Sequence, residues 1–206
     1  MKGAHGGSLS LYLDMDKLVS TIEREFSNLA SAEALAATRK FVPTSTQVYG
    51  LRMPQLNEMA KKYKDGSIPL SLALWETGSF EGRMLAVKLL EKLGRNEASE
   101  ILKVMDLFKD NLSDWAICDT LGMQGARKAL KYYPRDCFDL ARRYILNNNP
   151  WVIRLGIVLL IHFTKSSEYR DQIPGIVAHL RQSKDHYLKK ALVWLDKNLE
   201  KNLTSS

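Results

Sequence analysis

An aromatic residue recurs along this chain at a nearly constant interval. Phe80, Trp115, Trp151 and Tyr187 are separated by 35, 36 and 36 residues, and each opens a stretch whose apolar residues follow the helical period. An interval of this size is typical of proteins built from repeated helix pairs, in which each pair buries its apolar face only by stacking on its neighbours. The interval therefore predicts a repeat protein made of helices.

Apolar residues keep the helical period along almost the whole chain, and no segment has the strand alternation and turns of a hairpin. The pattern predicts an all-α fold with helices that include residues 149–163 and 167–182. Residues 1–10 are Gly-rich and are expected to form a flexible tail or an expression remnant. Because no Pro/Gly/Ser-rich linker follows, residues 11–206 are expected to form a single domain.

The composition predicts a protein of the cytoplasm that needs no cofactor. The longest apolar run, Gly156 to Ile161, is far shorter than the roughly 20 apolar residues of a membrane span, and it predicts a buried helix instead. Cys118 and Cys137 fit no metal-site or disulfide spacing, so both are expected to be small core residues. The four His residues form no ligand pair at helical spacing, and no metal is predicted.

The positive charge is concentrated in the C-terminal half. The net charge of the chain is +7, and residues 120–206 contain 15 Lys/Arg against 7 Asp/Glu, whereas residues 1–119 contain 15 against 16. This asymmetry favours a polyanionic partner, either nucleic acid or a membrane surface, over a charged face that merely contacts solvent.

Equivalent positions of the four repeats differ in chemistry. Three residues after the aromatic, three of the repeats have a basic side chain, which is Arg83, Arg154 or Lys190. Four residues after it, three repeats have an apolar residue and one has Asp119, and seven residues after it one repeat has Trp194. These offsets lie on one face of a helix, so aromatic, basic and acidic groups are expected to share one surface.

Asp119 requires an explanation, because a half-buried carboxylate is costly unless it is paired. One interpretation is a structural ion pair with Arg154 of the next repeat, and the other is a functional acid. Trp115, one turn before Asp119, and Trp194 could each be an ordinary core aromatic. Together, however, these residues describe an acid flanked by indoles with basic groups nearby.

In their order and spacing these residues resemble the bacterial DNA alkylation repair glycosylase family, which is built from HEAT-like repeats. The resemblance covers about residues 49 to 201. It implies a right-handed solenoid, an α–α superhelix of antiparallel helix pairs. The segments that carry it are Tyr49 to Pro54, Leu74-Trp75-Glu76, Glu81 and Arg83 with Leu85-Ala86, Trp115 with Asp119, Trp151 to Arg154, and Lys189 to Trp194.

The resemblance implies an enzyme that hydrolyses the N-glycosidic bond of purines alkylated at N3 or N7 in double-stranded DNA. Asp119 would be the catalytic carboxylate, Arg154 its basic neighbour at the DNA backbone, and Trp115 and Trp194 the indoles beside the damaged nucleotide. An alkylated purine is already a cationic leaving group, so a fixed carboxylate that stabilises positive charge on the deoxyribose is sufficient, without a metal. The expected DNA-binding residues are Arg83, Trp151, Arg154, Lys189 and Lys190.

Two other functions stay open. A non-catalytic DNA-binding protein with HEAT repeats is favoured by the short stretch of 12 residues after Trp194. A protein-interaction scaffold is the third possibility, since helical solenoids often have that role. The sequence contains no Gly-rich phosphate loop, G-x-S-x-G or H-E-x-x-H motif of other enzyme classes. A monomer is expected, because the binding surface of a solenoid needs no second chain.

Overall fold

The computed structural model describes the backbone of residues 6–203 and the side chains of residues 14–66 and 68–203. Every regular element in this part of the chain is helical, which confirms the predicted all-α fold class. The α-helices are α1 (Gly6–Leu29), α2 (Ala32–Thr38), α3 (Met53–Lys62), α4 (Ser67–Glu76), α5 (Phe80–Leu90), α6 (Glu100–Phe108), α7 (Trp115–Thr120), α8 (Arg127–Tyr132), α9 (Pro134–Ile145), α10 (Pro150–Ile161), α11 (Ser167–Arg170), α12 (Ile173–Val177) and α13 (His186–Leu203).

Helix α1 begins at Gly6, inside the segment predicted as a flexible tail, and residues 1–5 of that segment lie outside the described part of the chain. The chain divides into two compact units between Lys92 and Leu93. The first unit contains α1 to α5 and the second α6 to α13. The single domain expected over residues 11–206 stays a prediction.

In the first unit, α5 packs against α3 and α4, and α4 also contacts α1. Glu81, in the first turn of α5, is fully buried. Its Oε1 accepts hydrogen bonds from the backbone N–H groups of Gly50 and Leu51 (2.8 and 3.2 Å), and its Oε2 accepts one from Tyr49 (2.9 Å). Gly50 has a φ of 97°, which only glycine adopts without strain. One carboxylate thus fixes the loop that leads into α3.

In the second unit, α10 lies at the centre and packs against α7, α9 and α13. Its start is specified locally, because Pro150 occupies the first turn and the Asn149 side chain accepts a hydrogen bond from the Trp151 N–H (2.9 Å). Residues 152–161 are all buried and all except Arg154 are apolar, as expected of a helix surrounded by the core. The apolar run is therefore a core helix, as predicted. No described helix is both long and apolar enough to cross a membrane.

The single helix predicted over residues 167–182 is wrong. The structure has α11 end at Arg170 and α12 begin at Ile173, followed by a short 3₁₀ turn over Ala178–Leu180. Pro174 is the physical reason, since proline has no N–H to donate and its ring clashes with the carbonyl four residues earlier. In the observed structure, Pro174 lies in the first turn of α12, where both effects are harmless.

Candidate functional site

Helix α7 carries the predicted acid and one of the predicted indoles. The side chain of Asp114 caps this helix by accepting a hydrogen bond from the Ile117 N–H (2.9 Å). Trp115 and Asp119 are four residues apart and therefore lie on one face, one turn from each other. Trp115 is 38% exposed, which excludes a core position for its indole. An accessible aromatic surface thus lies one turn from the carboxylate.

Asp119 forms a two-point ion pair with Arg154 of α10. Arg154 Nε donates to Asp119 Oδ1 (2.8 Å) and Arg154 Nη2 donates to Oδ2 (2.7 Å). Arg154 Nη1 donates in addition to the carbonyl of Tyr187 on α13 (2.6 Å). One guanidinium therefore joins three helices, and it does so with the planar geometry that favours arginine over lysine. The predicted ion pair between Asp119 and Arg154 is therefore present in the structure.

Asp119 is held between core and solvent. Its side chain is 19% exposed, whereas the Arg154 side chain is only 6% exposed. Burial raises the pKa of Asp119 above its ordinary value, while the hydrogen bonds and charge of Arg154 act in the opposite direction. Both carboxylate oxygens accept hydrogen bonds from the guanidinium, which is the pattern of the ionised form. The arrangement is a fixed negative charge that remains partly exposed to solvent.

Aromatic residues of successive repeats lie next to this pair. The rings of Trp151 and Tyr187 are 4.9 Å apart between centroids and are tilted by 42°. The Cys118 thiol, which is fully buried as predicted, contacts the carbonyl of Trp151 (3.5 Å). The structure therefore brings together Trp151, Asp119 and Arg154 of the predicted site residues.

The remaining predicted residues are more dispersed. Trp194 lies on α13, two turns after Tyr187, and is half-buried, while Lys189 and Lys190 are exposed on the same helix. Arg83 belongs to the first unit, where its guanidinium lies 5.2 Å from the ring centre of Trp75. The three residues of α13 therefore share one helix with the carbonyl that Arg154 binds.

A π-helical turn over Leu121–Gly125 follows α7 and was missed by the sequence reasoning. His162 Nε2, at the end of α10, donates to the Gly122 carbonyl (3.0 Å), and burial lowers the pKa of this imidazole. Turns of this kind often occur at functional sites. In the sequence, Gly122 stands seven residues after Trp115 and carries no further signal. Its role depends on close packing that has no signal in the sequence.

Substituting Gly122 with Ala is expected to destabilise the second unit by about 1–3 kcal/mol, because overpacking a closed contact forces its neighbours to move. An added Cβ would lie 2.6 Å from Cγ1 of Val158. Thermal unfolding of Gly122→Ala, Val158→Ala and the double variant measures the effect. Because Val158→Ala removes the clashing methyl, the double variant should lose less than the two single losses together. Strict additivity would show that the two residues do not press on each other.

Comparison with known proteins adds one finding. The sequence model of the family described as DNA alkylation repair enzyme matches residues 22–202, which is most of the chain. No curated protein matches the chain. The matched range contains Trp115, Asp119, Trp151, Arg154 and Trp194.

Proposed function

Because this chain belongs to the DNA alkylation repair enzyme family, a role in DNA repair follows, and we propose that it is a DNA glycosylase. The substrate we propose is a cationic purine, alkylated at N3 or N7, in double-stranded DNA. The observation that carries the proposal is the Asp119 carboxylate, fixed at two points by Arg154 and one turn from the exposed indole of Trp115. The test is release of the free alkylated base from duplex DNA.

The chemistry requires little from the protein beyond electrostatics. Cleavage of the bond between N9 of the purine and C1′ of the deoxyribose returns an electron pair to the cationic base and leaves positive charge on the sugar. The Asp119 carboxylate stabilises that charge and orients the water that adds to C1′ and then loses a proton. Because the base leaves as a neutral molecule, the step needs no metal. Removing one such preorganised group typically slows an enzyme by about 10²–10³.

The indoles of Trp115 and Trp194 contribute attraction between their faces and the developing cation, on the order of 0.5–2 kcal/mol each.

Arg154 is in the first place a positioning residue for Asp119. A guanidinium has five N–H donors, and Asp119 and Tyr187 accept from three of its nitrogens. We propose that the two remaining donors bind a phosphate through the 6% of the Arg154 side chain that is exposed. Further backbone contacts are proposed for Arg83, Trp151, Lys189 and Lys190.

We also propose that the helix pairs are HEAT-like repeats that stack as a right-handed superhelix. Within the second unit, some residues at equivalent positions of neighbouring repeats contact each other, as stacked equivalent units require. Trp151 and Tyr187, both at the aromatic position, have neighbouring rings. Gly122 and Val158, both seven residues after the aromatic, are packed together. We expect the active protein to be a monomer, since none of the proposed contacts needs a second chain. We expect it to act in the cytoplasm.

The ion pair between Asp119 and Arg154 also supports a second candidate function, which is DNA binding without catalysis. An aspartate that is paired at both oxygens with a buried arginine is what a purely structural ion pair requires. Under that candidate, the chain binds duplex DNA with strong dependence on salt but releases no base. Substitution of Asp119 separates the two candidates, because it removes catalysis only in the first.

The rate of base release should fall at acidic pH, and the midpoint of the fall should lie above the ordinary aspartate pKa of about 3.9. Burial raises the pKa of Asp119, so its charge is lost as pH falls through this raised value. Single-turnover release from N7-methylguanine DNA, corrected for spontaneous depurination, measures the profile. A midpoint at or below 3.9, or the same profile in Asp119→Asn, would contradict this assignment.

A further inference from the structure

The first turns of α10 and α13 are joined by a pair of aromatic rings. Trp151 is the second residue of α10 and Tyr187 is the second residue of α13, and their ring centroids are 4.9 Å apart. Both side chains are half-buried. The N–H groups of a first turn have no acceptors within their own helix, so this turn is the part that packing must hold in place. The ring pair therefore fixes the start of α13 on α10.

The backbone carbonyls of the same two aromatic residues lead back to the ion pair. The Tyr187 carbonyl accepts a hydrogen bond from Arg154 Nη1 (2.6 Å). The Trp151 carbonyl accepts one from the thiol of Cys118 (3.5 Å). Asp119, the next residue of α7, completes the circuit through its two hydrogen bonds with Arg154. Five residues of three helices thus form one closed circuit of contacts.

Within this circuit, Arg154 depends on the Tyr187 carbonyl for its orientation. The two bonds to Asp119 come from Nε and Nη2, which form one edge of the guanidinium, so these bonds alone allow the ion pair to rock as a unit. The bond from Nη1 is made to a different helix and opposes that motion. Because the Arg154 side chain is only 6% exposed, little water can replace a partner that is lost.

We propose that Tyr187 is a positioning residue of the glycosylase site. Its ring, packed on Trp151, places its own carbonyl, and this carbonyl orients Arg154, which in turn fixes the Asp119 carboxylate. Displacing a reacting group by about 1 Å can slow an enzyme by as much as about 10². The expected effect on catalysis rests on the proposed function, whereas the expected effect on the Asp119 carboxylate does not.

The first measurement uses the protein without DNA. The pKa of Asp119 is followed by ¹³C NMR of its carboxyl carbon, with Asp119→Asn to assign the signal. In Tyr187→Ala, a less firmly held Arg154 stabilises the charged carboxylate less, so the pKa of Asp119 should be higher than in the wild type by about 0.5 pH units or more. Tyr187→Phe, which keeps the ring, should retain the wild-type pKa.

The matched control for this measurement is Tyr169→Ala. Tyr169 is a second half-buried tyrosine of the same unit, and its ring also lies against aromatic rings, those of Phe138 and Phe163 (4.8 and 5.0 Å between centroids). Its loss removes a similar amount of aromatic packing and should leave the pKa of Asp119 unchanged.

The second measurement is single-turnover release of N7-methylguanine from duplex DNA. Tyr187→Ala should lower the maximal rate about tenfold and leave the affinity for undamaged duplex at the wild-type value. In an Arg154→Lys background, Tyr187→Ala should have little further effect on the rate, because an ammonium group cannot reproduce the planar contacts with both partners. Tyr187→Leu, which keeps apolar volume, replaces Tyr187→Ala if thermal unfolding shows that the alanine variant is not folded.

An unchanged pKa of Asp119 in Tyr187→Ala would overturn the proposal. A loss of duplex affinity with an unchanged maximal rate would also overturn it, by assigning Tyr187 to a direct contact with DNA. An equal effect of Tyr187→Ala with Arg154 and with Arg154→Lys would show that Tyr187 does not act through the guanidinium. If the wild type releases no base while the pKa of Asp119 responds as expected, the glycosylase is refuted and the positioning of Asp119 by Tyr187 stands.

Discussion

Asp119→Asn is expected to slow release of N7-methylguanine from duplex DNA by about 10²–10³, because it removes the charge that stabilises the sugar cation. Asparagine has nearly the same shape and keeps one oxygen to accept from Arg154, so the contact between α7 and α10 is retained in part. Affinity for undamaged duplex should be unchanged or slightly higher, since a negative charge near the phosphates is lost. Single-turnover kinetics and equilibrium binding at fixed salt measure the two effects.

The matched control is Asp110→Asn, which removes a carboxylate of the same unit that is 67% exposed and paired with Lys109. It should keep the wild-type rate of release. Thermal unfolding of both variants shows whether the fold is retained. If Asp119→Asn released base as fast as the wild type, Asp119 would be only the structural partner of Arg154.

Glu81→Ala is expected to destabilise the protein by about 4 kcal/mol or more. It leaves the N–H groups of Tyr49, Gly50 and Leu51 without their acceptor, and each buried donor without a partner costs about 1–3 kcal/mol. For a chain of this length, each kcal/mol lowers Tm by about 2–4 °C, so the expected decrease is about 8–16 °C. Differential scanning calorimetry measures it directly.

Two further variants serve as an intermediate case and as a control for this prediction. Glu81→Gln should be intermediate, because its amide oxygen still accepts while its NH₂ group faces one of the three donors. Glu76→Ala removes an exposed glutamate of the same unit and should change stability by no more than about 0.5 kcal/mol. A Tm for Glu81→Ala within 2 °C of the wild type would contradict the role assigned to this carboxylate.

Several features were predictable because they depend on local or periodic signals. The buried helix α10 follows from the apolar run Gly156 to Ile161, together with Asn149 and Pro150 at the start of the helix. The contact between Asp119 and Arg154 follows from neighbouring positions on one helix face, four and three residues after the aromatic of successive repeats. Periodicity identifies which residues share a face, and stacked repeats convert that face into neighbours.

Other features could not be predicted, because they depend on backbone groups or on the depth of packing. The carbonyl of Tyr187 binds Arg154, and a carbonyl has no sequence signature. The three donors that meet Glu81 are also backbone groups. The π-helical turn after α7 depends on Gly122 contacting Val158. In contrast, Pro174 is a local signal for a helix break that can be read from the sequence, and the helical period of the apolar residues does not show it.

The most direct test of the central claim is to incubate the wild-type protein with duplex DNA containing N7-methylguanine or N3-methyladenine, and to identify the released product by chromatography. We predict free alkylated base together with an otherwise intact strand that has an abasic site, at a rate well above spontaneous depurination. If the protein binds this DNA in a salt-dependent manner and no base is released above the spontaneous rate, the chain is a DNA-binding member of its family without glycosylase activity.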